Sequence, residues 1–311
     1  MQENRFTKDG RVYLPLVEAK MFHHFDHRFG TYEGQTEAQA NQGKLPELDA
    51  TAHCKPSFFT LPEYWVPETV VRERLVDKWT HRWLIGMRNI TGTEKRRTVI
   101  TAIIPIAGVG HSAPLFVPSK VDAASGCLLV ANLTSFALDY AARQKVGGTN
   151  LTYGYLKQFP VLPPTTYAQP CAWAGNLQSE ISHLQFLLPR VLELTYTAWD
   201  LEPFAVDCGW SGPPFRWDEE RRFLLRCELD AAFFHLYGLN RDDTAYILDT
   251  FPIVKRKDEA KFHGDYRTKR VILEIYDAMK STMDSGQPYQ TLLNPPPADP
   301  RCCHPPRKIV H

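Results

Sequence analysis

Residues 158–170 read QFPVLPPTTYAQP, four prolines in thirteen positions, and the pattern of apolar residues differs on the two sides of them. Proline cannot continue a helix or a central strand, so such a cluster marks a break in regular structure. Upstream of the break the chain carries short runs of β-branched and aromatic residues punctuated by glycine and proline. These are RVYLPLVEAKMFHHFDHRF (11–29), HRWLIGMRNI (81–90), RRTVITAIIP (96–105) and SAPLFVP (112–118). They predict strands. GCLLVANL (126–133) and YLKQFPVLPP (155–164) read as further extended segments, while SFALDYAARQKV (135–146) has helical spacing, with Ser135 as N-cap and Gly147 as stop. Residues 33–60 are polar and read as a loop or insertion.

Downstream the period changes. Leucines in 179–199 recur at helical spacing, and Leu225, Leu229, Ala232 and Leu236 make an apolar stripe on a helix opened by Asp218 and ended by Gly238. Further helices are expected near Asp242–Asp249 and Tyr266–Met283. The expectation is an α+β protein: a β-rich module over residues 1–165, a helical module over 175–284, and a flexible Pro-rich tail over 285–311.

With 311 residues and 43% apolar content the chain can bury one large core or two modest ones. Its formal net charge of +1 indicates no partner, so any charge-driven function must come from local clustering. Neither a membrane span nor a secretory leader is expected, and the seven cysteines are odd in number and scattered. Reduced thiols in a cytoplasmic protein are expected.

Several stretches invite a chemical reading. His23, His24, Asp26 and His27 are dense enough to suggest a metal, but on a strand His23 and His27 would share one face while His24, Asp26 and Arg28 shared the other. No metal is expected there; a polar surface against a neighbouring domain or partner is. Cys302, Cys303 and His304 lack the two-residue gap of a zinc pair and read as tail residues without function. Asn294-Pro295-Pro296 resembles the base-binding tetrapeptide of adenine methylases, but Pro297 stands where the aromatic belongs, and no Gly-rich cofactor loop is present. Asp249, Glu259 and Lys261 have the spacing of some magnesium-dependent nucleases. Finally, residues 72–97 carry eight cations (Arg72, Arg74, Lys78, Arg82, Arg88, Lys95, Arg96, Arg97) against three anions, with Trp79, His81 and Trp83 interleaved. Such a strip can neutralise phosphates and reach base edges. Lys145, Gly147, Gly148 and Asn150 form a second candidate, since paired glycines let a backbone approach a phosphate.

Five blocks, YLPLVEAKMFHHFDHRFGTY, RWLIGMRNITGTEKRRTVITAIIP, NLTSFALDYAARQKVGGTNLTYGYLKQFPVLPP, ELDAAFFHLYGLNRDDTAYILDTFPIVKRKDE and YRTKRVILEIYDAM, together resemble the C-terminal half of large bacterial adenine-N6 DNA methylases. These are the type IIG and related restriction–modification and phage-defence enzymes. The resemblance implies a target recognition domain followed by a helical segment, with the histidine-rich stretch at the junction to the methylase domain. It implies double-stranded DNA as ligand, and a methylase, helicase or nuclease domain or subunit as partner. The methylase motifs are absent from this sequence, so S-adenosylmethionine is expected only in that partner or missing domain, and no catalysis by this chain alone. The expected DNA-binding residues are Arg88, Lys95, Arg96, Arg97, His111, Lys145, Gly147, Gly148 and Asn150. Two rival functions stand beside this one: a protein-interaction subunit that docks on a methylase or helicase, and a metal-dependent nuclease.

Overall fold

The computed structural model describes residues 4–118 and 122–307. Among the described residues, strands occur only between Phe6 and Phe116. β1 (Phe6–Lys8), β2 (Arg11–Val17) and β3 (Trp65–Pro67) form an antiparallel ladder in that order. Between β2 and β3 lie two short helices, α1 (Glu37–Asn41), opened by a Thr36/Gln39 capping box, and α2 (Ala50–His53). The 33–60 segment therefore has more local order than a loop reading implies. α3 (Glu68–Leu75) follows β3 directly.

A second, three-stranded sheet holds β4 (Trp83–Met87) between β5 (Thr101–Pro105) and a short later strand. After β5 come β6 (Gly108–Val109), which pairs in parallel with β2, and β7 (Leu115–Phe116), which closes the second sheet against β4. Every residue of β4 is buried, so the run WLIGM shows no alternation.

Helices then take over: α4 (Ala123–Thr134), α5 (Phe136–Arg143), α6 (Tyr153–Leu156), α7 (Pro164–Tyr167), α8 (His183–Thr195), α9 (Glu202–Asp207), α10 (Glu219–Leu236), α11 (Arg241–Asp249), α12 (Pro252–Lys261) and α13 (Arg267–Ser285). The fold is α+β, with small sheets in the N-terminal part and helices after them. The expected caps are in place. Ser135 accepts the Leu138 N–H, Asp218 accepts the Arg221 N–H, and Gly238 takes the left-handed conformation just past α10.

Two segments read as strands are helical. GCLLVANL lies within α4, whose N-cap Asp122 accepts the Ser125 N–H at 2.7 Å. An apolar run buried on nearly every side carries no period, so pattern alone cannot separate strand from helix there. Residues 155–164 contain the end of α6 and no strand. The charged stretch around Glu259 is α12.

α4 packs on β5 on one side and on α8 on the other, joining the sheet layer to the helices. Trp83, Ile103, Leu128, Val191, Phe204 and Phe233 accordingly belong to one continuous core. The proline segment changes the secondary structure but does not divide the core. Nor does the Pro-rich tail hang free. Tyr289 and Thr291 donate to the buried Glu228 carboxylate, and the Ala298 N–H donates to Glu193, so residues 286–307 run back along α8 and α10. The last four residues lie outside the described residues. No described helix is long and apolar enough to cross a membrane.

Candidate nucleic-acid interface

The histidine-rich stretch is a turn, not a strand. His23 and Asp26 exchange backbone hydrogen bonds of 2.7 and 3.0 Å around Phe25, which has a positive φ of 54°. The side chains are therefore placed one by one rather than on two faces. His27 pairs with Asp200 at 2.8 Å, His53 with Asp26 at 3.2 Å, and His24 Nε2 meets the Val99 carbonyl at 2.8 Å. Arg28, fully buried, donates to the carbonyls of His53, Lys55 and Thr197, and Arg222 from α10 donates to the Phe25 carbonyl. Burial, reinforced by nearby arginines, holds the pKa values of His23 and His24 well below the usual histidine range. The stretch thus ties the sheet layer to the helices. Among the described residues no three His, Cys, Asp or Glu side chains are grouped to hold a metal ion.

The other candidate chemistries are also assigned places. Asp249 ends α11 and pairs with Lys269, while Glu259 and Lys261 lie on α12, so the three do not meet at a sheet edge. The carbonyls of Pro295 and Pro296 accept from Arg221 at 2.6 and 2.9 Å, leaving them engaged within the chain. Cys302 is buried, and Cys303 bridges Phe215.

The basic strip of residues 72–97 is split by the fold. Arg72 and Arg74 lie on α3, which packs on β2 and β3 rather than on the second sheet, and Arg72 is paired with Glu68. The other end of the strip forms the loop between β4 and β5. This loop is braced against the one that follows α5. The Thr91 N–H donates to the Thr149 carbonyl at 2.9 Å, the Leu151 N–H donates to Asn89 at 2.7 Å, and Ile90 and Asn150 form an isolated bridge. Beneath both loops sits a small separate core of Met87, Val99, Leu138, Val146, Leu151 and Phe159.

Asp139 anchors the first loop from below. Its fully buried carboxylate accepts from Arg97 Nε and from the backbone N–H groups of Thr98 and Val99. Arg143 donates to the Lys95 and Arg96 carbonyls at 2.8 and 3.2 Å, with its guanidinium over the Phe251 ring. Two expected DNA-binding residues therefore turn inward. Arg97 is 8% exposed, bound to Asp139 and the Thr134 carbonyl and stacked on Phe136. Arg88 donates to the Phe22 carbonyl and lies over Phe29, and burial lowers its pKa to about 10. A cation next to a buried carboxylate or a free carbonyl satisfies that partner, and sequence alone does not show where the partner is.

The remaining expected residues come together on one exposed surface. Lys95, Arg96, Lys145, Gly147, Gly148 and Asn150 are all exposed on the paired loops. A side chain added at Gly147 or Gly148 would meet nothing within 4 Å, so the backbone there is open to a ligand. His111 is exposed on the adjoining turn, whose Ser112 carbonyl accepts the Asn89 N–H at 2.8 Å. Sequence reading missed two apolar members of this surface, Ile90 and Tyr153, which are 65% and 53% exposed. The Tyr153-Gly154-Tyr155 run beside the glycine pair was the available signal. The surface offers cations suited to phosphates, an amide suited to a base edge, and an aromatic ring and an aliphatic side chain suited to base or sugar faces. No family model, no curated protein and no solved structure matches this chain.

Proposed function

We propose that this chain is a sequence-specific DNA-binding module that directs an adenine methylase, carried on another domain or subunit, to its site. The observation that carries the reading is the braced pair of loops, 88–97 and 144–153. They expose Lys95, Arg96, Lys145, Asn150 and two open glycines over a core of their own. A rigid support under polar loop residues is what positional readout of a duplex requires. The resemblance to the recognition half of adenine-N6 methylases supports the same reading, and the engaged Pro295 and Pro296 carbonyls are consistent with methyl transfer being done elsewhere.

The test is duplex binding by the whole chain at two salt concentrations. Lys95→Ala with Lys145→Ala should weaken binding to all duplexes and lower the salt slope by roughly 1.8, about 0.9 for each phosphate no longer neutralised. Asn150→Ala should instead relax preference at one base position by about 1–3 kcal/mol. Unchanged affinity and slope in the double variant would favour the protein-interaction reading, for which exposed Tyr246 on α11 is a candidate contact.

A further inference from the structure

Two thiols meet in the seam between α4 and α9. Cys127 lies on α4 and is fully buried in the main core. Cys208 caps the C-terminal end of α9 and is half-buried, between the exposed Asp207 and Gly209. The two are 81 positions apart in the chain, yet their sulfurs are 3.6 Å apart. Both are free cysteines, and theirs is the one thiol–thiol hydrogen bond among the described residues. The flanking residues hold the pair in register. Gly126, next to Cys127, packs against the Trp83 ring, and Asp207, next to Cys208, accepts the Trp83 indole N–H at 2.8 Å.

A disulfide needs a sulfur–sulfur separation of about 2.05 Å, so the two sulfurs must close by about 1.5 Å. Cys127 is fixed inside a packed helix, and Cys208 is the one placed to move. It follows the last turn of a six-residue helix, and Gly209 after it takes a positive φ of 82° with open space where a Cβ would stand. Burial also sets the order of events. A reagent in solvent reaches Cys208 and does not reach Cys127, which is 0% exposed. Burial, the hydrogen bond to Cys208 and the charges of Cys208 and Asp122 push the Cys127 thiol well above the usual cysteine range. Cys127 therefore stays protonated, and the sulfur it can attack is the one already beside it.

We propose that Cys127 and Cys208 form a reversible disulfide site, oxidised by a low-molecular-weight disulfide. The Cys208 sulfur attacks one sulfur of the reagent. The reagent's S–S bond breaks, and its first thiol leaves with the Cys208 proton. The Cys127 sulfur then attacks the Cys208 sulfur of the mixed disulfide, and the second thiol leaves with the Cys127 proton. Together the two cysteines lose two hydrogens and two electrons, and the reagent becomes two thiols. The new bond ties α4 to α9 and restrains the unfolded chain across the 81 positions between them. Neither cysteine belongs to the paired-loop surface, so the site stands apart from the DNA reading.

The experiment incubates the reduced whole chain with glutathione disulfide under native conditions, alkylates the remaining thiols, and maps the peptides by mass spectrometry without reduction. The expected result is a peptide pair joined through Cys127 and Cys208, which dithiothreitol separates. Glutathione on the exposed Cys54 shows that the reagent is active. The linked chain should melt about 5 °C higher than the reduced one. Cys127→Ala should instead retain one glutathione on Cys208, the captured first intermediate. Cys208→Ser leaves the core side of the pair intact, and it should show neither modification of Cys127 nor a rise in melting temperature. Glutathione that stays on Cys208 in the wild type overturns the site. So does a Cys208 that does not react, a link that forms only in urea, or a link that lowers the melting temperature.

Discussion

Asp26 and Asp230 are both buried carboxylates, and their surroundings pull them in opposite directions. Burial alone would raise Asp26, but the His53 hydrogen bond, the charges of His53 and Arg222 and the Arg28 N–H bring it from 3.8 to about 2. For Asp230 burial wins over Arg97, the Phe136 N–H and Arg226, with Asp139 adding repulsion, and the value rises from 3.8 to about 6. By linkage, the stability from Asp26 is present above pH 4 and lost as pH falls toward 2. The Asp230 contribution is full below 3.8 and lost as pH rises through about 6. Asp230→Asn keeps an oxygen to accept the Phe136 N–H while removing the buried charge. It should stabilise the protein by about 1–3 kcal/mol at pH 7.5 and by much less at pH 4.5. Urea melts at the two pH values check this, and an equal effect at both would contradict it. Arg97 and Arg88 belong to the same scale. Their charge suggested DNA, but Asp139 and the Phe22 carbonyl claim them first.

At the scale of elements, α4 is the piece whose reading as a strand failed and whose packing joins the layers. Its Gly126 faces the Trp83 ring, and a Cβ there would sit 3.0 Å from the indole and 3.5 Å from Ile85. Alanine would favour the helix by about 1 kcal/mol. Trp83 cannot retreat, however, because its indole N–H donates to Asp207 at 2.8 Å and its ring is wedged between Trp79 and Phe204. Gly126→Ala should therefore destabilise by about 1–2 kcal/mol net, through overpacking. Pairing it with Trp83→Phe tests the cause. If the double variant shows the full sum of the two single effects, the overpacking against Trp83 is not responsible.

At the scale of the whole molecule, the proline segment at 158–170 separates two kinds of secondary structure around one core. Residues on both sides, such as Trp83, Ile103, Val191 and Phe233, share that cluster. Arg28 and Arg222 also cross between the halves, to carbonyls on the far side. Unfolding in urea should therefore be a single transition, with tryptophan fluorescence and far-ultraviolet circular dichroism coinciding. Tryptophans lie on both sides of the prolines, so two separate transitions would be visible and would show independent domains.

What the sequence determined by itself is the class of fold and the major helices. Helix α10, its Asp218 cap and its Gly238 stop follow from local spacing and capping, which need no knowledge of distant residues. Strands β4 and β5 were legible for the same reason, through β-branched content between turn residues. The tertiary structure alone decided the rest. Whether GCLLVANL became strand or helix depended on what buried it from both sides. Lys95 and Lys145 became neighbouring surface cations through the bridge between Ile90 and Asn150, sixty residues apart in the chain. Arg97 was buried beside Lys95 because Asp139 lies under the loop. A charge carries no record in the sequence of which distant group will neutralise it, so the exposed and the buried arginines read alike until the chain is folded.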